Sequence, residues 1–575
     1  MPARITKTHI AIASLIIFLV WIFYIESIAG TFQTIHNVDP LSMIDALFPY
    51  FWIILILLAL LCIVCLCFDI NSRGLHSLLL GEIALVLFYT PFVLSGFSWN
   101  PDALWHGGIA AYIPQIMKGP IPTNIPLGTY AQSYPLSYVL TYSVEKITGL
   151  SLIAYGTYLY PFFIILLTAL LGYIFLSRLF TPKIAFLSML FALSSMHFIE
   201  EHVSPFSLGT VLVLGALVML TIDGRLAQGL LFLLILFCVI THPISPISLG
   251  IFLIPIVLLT MLKEKLGFTG SLNSINLRVS TKTVMFLVIL WLGWTLYWSF
   301  SVYKSIGYTI DRILSLSFVS QIEHVSRFTS TGGFYYQNIS LLEETIYAIV
   351  AAFALITILI NLYKLALHKK RNLTDFLGLL FSLLAILFAV FAYALFLSTG
   401  EQTLLGRGLI FYVFAGGVCM ALLLQEVPKG GHKFFRPKSL LTIFLIMLFF
   451  VSYPVVSYSR EAYNTFTPSF GQGLSFLSTI PNLNDLNVSM SSYQQLAAYV
   501  NLSKGLNYVN YSLPVNVSGA NLWVLTVNSY FDNALRYSLS FQNNSYTQIK
   551  ESLQTNTTYD EIYSNPSFDV YSFVG

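Results

Sequence analysis

The chain has 575 residues, of which 57% are hydrophobic and only 9% charged, with a mean hydropathy of +0.78. So little polar surface cannot cover a water-soluble globule, and the expected class is an all-α polytopic membrane protein. A formal charge of +3 spread over many loops leaves no basic stripe for nucleic acid. Five cysteines, all inside apolar runs, imply neither a disulfide framework nor a zinc knuckle.

A bilayer crossing takes about 20 mostly apolar residues. Thirteen runs qualify, centred near residues 20, 59, 87, 167, 191, 214, 234, 254, 291, 353, 386, 416 and 448, with the four between 184 and 262 short. The first run, 10–29, follows Arg4 and Lys7 and ends in Ser27-Ile28-Ala29, the outline of a secretion signal; its apolar stretch exceeds a signal core, so a retained span is expected. With the N-terminus in the cytoplasm, 18 of the 28 Lys and Arg residues fall on inner segments. An odd number of crossings then puts the C-terminus outside.

Between the third and fourth spans lies the first large outer loop, 97–151. Asn100 caps a helix with Pro101 and Asp102 in its first turn, and Trp105, Ile109, Tyr112, Ile113 and Ile116 follow at helical spacing. That helix is expected to lie flat on the membrane. A second helix behind Pro135 carries Tyr134, Tyr138 and Tyr142 on one face, where phenol rings serve as interfacial anchors or stack on a sugar or prenyl chain.

After residue 460 the composition turns to Asn, Ser, Tyr and Thr. Acceptor sequons stand at Asn487, Asn501, Asn510, Asn516, Asn543 and Asn556, against only Asn338 and Asn372 elsewhere, so this tail reads as external and glycosylated. Segments Leu522–Thr526 and Phe568–Phe573 read as strands and 492–500 as helix, giving a small α/β domain. The domain plan is 1–75, two N-terminal spans; 76–460, the main membrane region; and 461–575, the external domain.

Loop alternation gathers the ionisable groups on the outer face: Asp102 and His106, then Glu200, Glu201 and His202, then His242, then Lys304, Asp311, Arg312, Glu323, His324 and Arg327, and finally Glu401 and Arg407. Charges at membrane depth are costly and mark function. Plainer roles fit each alone. Asp102 suits a helix dipole, Glu200 to His202 can end a span, His242 can cap a turn and Arg407 can snorkel. Asp102, His106, Glu201 and His202 have ligand chemistry for a divalent metal, the one cofactor considered.

The order Asp102-Ala-Leu-Trp-His106, Ile109, Ile116 to Lys118 with Gly119, Ile121-Pro122, Tyr134-Pro135 and Thr148-Gly149 resembles the first outer loop of GT-C membrane glycosyltransferases. It is most similar to an archaeal branch akin to protein mannosyltransferases and aminoarabinose transferases. Ser177-Arg178-Leu179-Phe180, the 200–205 segment and Thr241-His242-Pro243 extend the likeness to about residue 250. The resemblance implies transfer of a sugar from a polyprenyl-phosphate donor to a lipid-linked glycan or protein acceptor, with Asp102 as base. His106 would assist it, and Glu200, Glu201, His202 and His242 would serve as metal or supporting groups. In that chemistry Arg407 is the first choice to hold the donor phosphate, with Arg312, Arg327 and Lys304 as substitutes. Two spans precede the loop where one is usual, Asp102 lacks an adjacent second acid, and the tail has no WWD-type motif. The rival expectations are a secondary transporter and a non-enzymatic scaffold displaying the glycosylated domain.

Overall fold

The computed structural model describes residues 6–32, 42–95, 103, 106–107, 109–110, 113–118, 128–151, 154–195, 198–262, 279–299, 334–367, 373–399, 402–426, 437–461, 487–490, 507–508, 522–526, 554, 559–565 and 568–573. Asp102, Trp105, Lys304, Arg312 and Arg327 lie outside them. So do Asn501, Asn510, Asn516, Asn543, Asn556 and the helix expected over 492–500.

Every apolar run becomes a helix. The N-terminal part holds α1 (Lys7–Phe32), α2 (Ser42–Ala46), α3 (Tyr50–Cys67) and α4 (Arg73–Ala84), which continues through a π-turn at Leu85–Tyr89 into α5 (Thr90–Ser95). The outer loop contributes α6 (Ile113–Ile116), α7 (Gly128–Ser133) and α8 (Leu136–Thr148). After a second π-turn at Tyr155–Leu159 come α9 (Tyr160–Leu179), α10 (Pro182–Leu193), α11 (Pro205–Met219), α12 (Arg225–Thr241), α13 (Ile244–Leu262) and α14 (Thr281–Tyr297). The last four are α15 (Phe334–Ala366), α16 (Leu373–Thr399), α17 (Gln402–Glu426) and α18 (Pro437–Glu461).

All thirteen expected centres fall inside helices, yet among the described residues only nine helices are long and apolar enough to cross a bilayer. The other four, α10, α11, α12 and α14, have 12, 15, 17 and 17 residues. The run near 254, expected to be short, reaches 19 residues, whereas α14 is shorter than expected. Local chemistry sets these lengths. Thr181 caps α10 with Pro182 behind it, and Ser204 caps α11 with Pro205 behind it, so neither helix can extend backwards. Both are buried on nearly all sides, and a helix enclosed by protein need not match the bilayer.

At the centre stands α17, closely packed because it is rich in small residues. A Cβ on Gly417 would lie 2.7 Å from the Ser188 carbonyl of α10, and one on Gly408 would lie 2.5 Å from the Ala392 Cα of α16. Such contacts drive helix association where lipid removes the hydrophobic incentive. α1 docks through Trp21, whose Nε1 donates to Thr90 Oγ1 at 3.1 Å.

Polar contacts sort by loop parity. Lys183 pairs with Asp69, Lys364 with Asp375, and Arg73 Nη2 donates to the Ser177 carbonyl at 3.2 Å, all between segments expected on the inner side. Links between segments expected on the outer side include Trp294 Nε1 to the Ser133 carbonyl and Trp298 Nε1 to the Gln132 carbonyl, both 2.9 Å.

Beyond the helices, β1 (Asn487–Met490), β2 (Asn507–Tyr508), β3 (Leu522–Thr526), β4 (Tyr559–Asn565) and β5 (Phe568–Phe573) form a mixed sheet in the order β2-β1-β3-β5-β4. The two strands read from sequence pair antiparallel, Leu522 opposite Ser572. Asn487, a sequon residue, opens β1.

Candidate active site

Helix α10 ends at Leu193, and the chain returns through Glu200 and His202 to Ser204. Ser204 has extended backbone, and its Oγ accepts from the Ser207 N–H at 3.0 Å, capping α11. The same hydroxyl donates to Glu200 Oε1 at 2.7 Å, so the cap also fixes the carboxylate. Tyr160 braces the turn from α9, with its hydroxyl 2.7 Å from Ser207 Oγ and donating to the Ser204 carbonyl at 3.1 Å.

Arg407, in the second turn of α17, meets that carboxylate edge-on. Nε donates to Glu200 Oε2 at 3.0 Å and Nη2 to Oε1 at 3.1 Å, a bidentate pair. Only 18% of the arginine side chain and 13% of the glutamate side chain are exposed. His202 Nε2 lies 3.3 Å from Glu200 Oε1, and the guanidinium carbon sits 5.5 Å above the Phe206 ring centroid. Burial alone would raise the Glu200 carboxyl. Arg407 above all, with His202 and the Ser204 bond, outweighs it and holds the group down to about 2.

His242 arrives from the other side. Pro243 stops α12 at Thr241, leaving His242 extended, and its Nδ1 accepts from the Ile244 N–H at 3.1 Å. The imidazole stands edge-to-face with Phe206 at 5.1 Å and with Tyr130 at 6.3 Å. Burial first, and then the Arg407 charge, keep it well below the usual histidine range. Gly209 makes room for this packing, since a Cβ there would fall 2.0 Å from Ser245 Oγ and 3.7 Å from His242 Cβ.

The outer loop closes the cluster. His106 Nδ1 is 2.9 Å from the Tyr138 hydroxyl, and the Tyr134 hydroxyl accepts from Ser299 Oγ at 2.9 Å. Tyr134 and Tyr138 are therefore buried structural groups, while Tyr142 remains partly exposed under Lys146. The expected row of three interfacial rings is corrected accordingly: aromatic spacing of four fits a packed face as well as a surface one. Tyr130, one step earlier in the same series, was not singled out by the sequence. Burial raises its phenol while Arg407 opposes the shift.

Of the sequence-derived site residues, the structure brings Glu200, His202, His242, Arg407 and His106 into one region, and Glu201 beside them is partly exposed. Among the described residues no three His, Cys, Asp or Glu side chains could share an ion, and Asp102 of the expected metal group lies outside them. The Glu200 oxygens are already held by Arg407 and Ser204.

No family model matches the chain, and no curated protein does. Among solved structures it is similar to the archaeal oligosaccharyltransferase AglB from Archaeoglobus fulgidus, in complex with an inhibitory peptide and a dolichol-phosphate. That likeness has 11% identity over 81% of this chain and 71% of that one, with a TM-score of 0.47. It is also similar to ArnT from Cupriavidus metallidurans bound to undecaprenyl phosphate, at 11% identity over 86% of this chain and 97% of that one, with a TM-score of 0.46.

Proposed function

We propose that this chain is an integral membrane glycosyltransferase. It moves a sugar from a polyprenyl-phosphate donor to a lipid-linked or protein acceptor on the outer face, with inversion. The observation that carries this reading is the Arg407–Glu200 pair, which ties together loops 207 residues apart beside His106, His202 and His242. Apart from Arg407, these residues come from the segments whose sequence resembles the GT-C first loop and the stretches that follow it to about residue 250. The reading takes all thirteen helices as crossings, with the N-terminus cytoplasmic and the tail external.

The acceptor oxygen attacks the anomeric carbon as the bond from that carbon to the phosphate oxygen breaks, and the phosphate leaves with the electron pair. Asp102 takes the acceptor proton. His106, four residues on in sequence and held by Tyr138, assists it. Charge building on the leaving phosphate calls for a fixed cation. Arg407 supplies it, its guanidinium plane set by Glu200, with Lys304, Arg312 and Arg327 in the same role.

The test is sugar release from a polyprenyl-phosphate hexose by membranes containing the wild-type chain, Asp102→Asn or Arg407→Ala. Asp102→Asn should abolish turnover while donor binding persists. Equal turnover in wild type and Asp102→Asn would overturn the assignment of the base. Coupled uptake of a solute into sealed vesicles, without transfer, would favour a transporter.

A further inference from the structure

Two hydrogen-bond donors beside the Arg407–Glu200 pair have no partner among the described residues. Because His242 Nδ1 accepts from Ile244, the proton of the neutral ring sits on Nε2, and that atom bonds to no described group although the residue is only 4% exposed. The Tyr130 hydroxyl likewise has no described partner. It lies within reach of the Arg407 and Glu200 charges, and its ring meets the His242 ring edge-on. Neither atom is sealed inside the protein, so both donors are open to an incoming acceptor.

Charge decides what kind of ligand. Arg407 is the cation assigned to the donor phosphate, whereas the imidazole and the phenol are neutral and bring no charge of their own. An anion placed against His242 and Tyr130 would face the Glu200 carboxylate. An uncharged molecule with hydroxyls and a C–H face suits it better, set among the Phe206, Tyr130 and His242 rings.

We infer that His242 Nε2–H and Tyr130 O–H bind the hydroxyls of the transferred sugar, as a subsite separate from the groups holding the donor phosphate. This rests on the glycosyltransferase reading and adds the side chains that recognise the sugar.

The experiment compares binding of two probes to the purified full-length chain in nanodiscs, a polyprenyl phosphate and the same lipid phosphate bearing one hexose. Wild type should bind the sugar-bearing lipid more tightly. Tyr130→Phe, which removes one hydroxyl with no described protein partner, should weaken only that lipid, by roughly three- to tenfold. His242→Phe should do the same, and His242→Gln, which keeps an N–H donor, should recover part of the loss. Unchanged affinity for both lipids in Tyr130→Phe and His242→Phe overturns the inference. Equal weakening for both lipids, with unaltered thermal unfolding, also overturns it and assigns these side chains to the phosphate. A wild-type chain that binds neither lipid removes the glycosyltransferase reading itself, an outcome distinct from the other two.

Discussion

Glu200→Gln keeps the size of the side chain and an acceptor for Ser204, and removes only the charge that faces Arg407. Its cost can be worked from the carboxyl, which folding moves from 4.5 to about 2. At 1.36 kcal/mol for each tenfold change, a drop of about 2.5 corresponds to roughly 3 kcal/mol. That agrees with the 3–5 kcal/mol typical of breaking a mostly buried pair and leaving one charge uncompensated. Because the folded carboxyl lies below its unfolded value, this stability is fully present above about pH 4.5 and is lost as pH falls towards about 2. Acid and thermal unfolding in detergent, followed by far-ultraviolet circular dichroism of the helices, should show that loss in wild type. Glu200→Gln should lack it and be less stable by roughly 3 kcal/mol at neutral pH. Adding Arg407→Gln should restore part of the stability, since the second change removes the stranded cation. Strictly additive effects, or the same slope between pH 4.5 and 2 in wild type and Glu200→Gln, would refute the pairing as the source.

Arg407→Lys retains the charge but not the planar fork, so sugar transfer should fall about 100-fold or more in a donor-saturated assay, with wild-type turnover as the contrary result. Gly408→Ala places a methyl 2.5 Å from the Ala392 Cα, a contact that only separation of α16 from α17 can relieve. A loss of about 1–3 kcal/mol in thermal unfolding is expected, together with reduced transfer because Arg407 moves with the helix. Gly209→Ala would displace Ser245 and press on His242. It should weaken binding of the sugar-bearing lipid more than that of the bare lipid phosphate, as read by the same pair of probes.

Much of the bundle was legible because each crossing needs its own apolar run, a local property that survives any rearrangement of neighbours. Helix length was less so. The brevity of α10 and α11 follows from Thr181, Ser204 and the prolines behind them, signals present in sequence but outweighed by hydropathy. Loop parity expects His106, His202, His242 and Arg407 on one face, and the structure brings them into one region. What parity cannot give is pairing within a face. Nothing near Arg407 in sequence shows that it binds a carboxylate 207 residues away, and snorkelling to the interface was an equally sound reading of that residue alone. The same holds for Tyr134 and Tyr138, whose spacing of four is shared by interfacial and packed faces. A single charge at the end of an apolar bundle is therefore ambiguous in sequence, because burial penalises it whatever its purpose. Glu200 and Arg407 each supply the reason the other is tolerated.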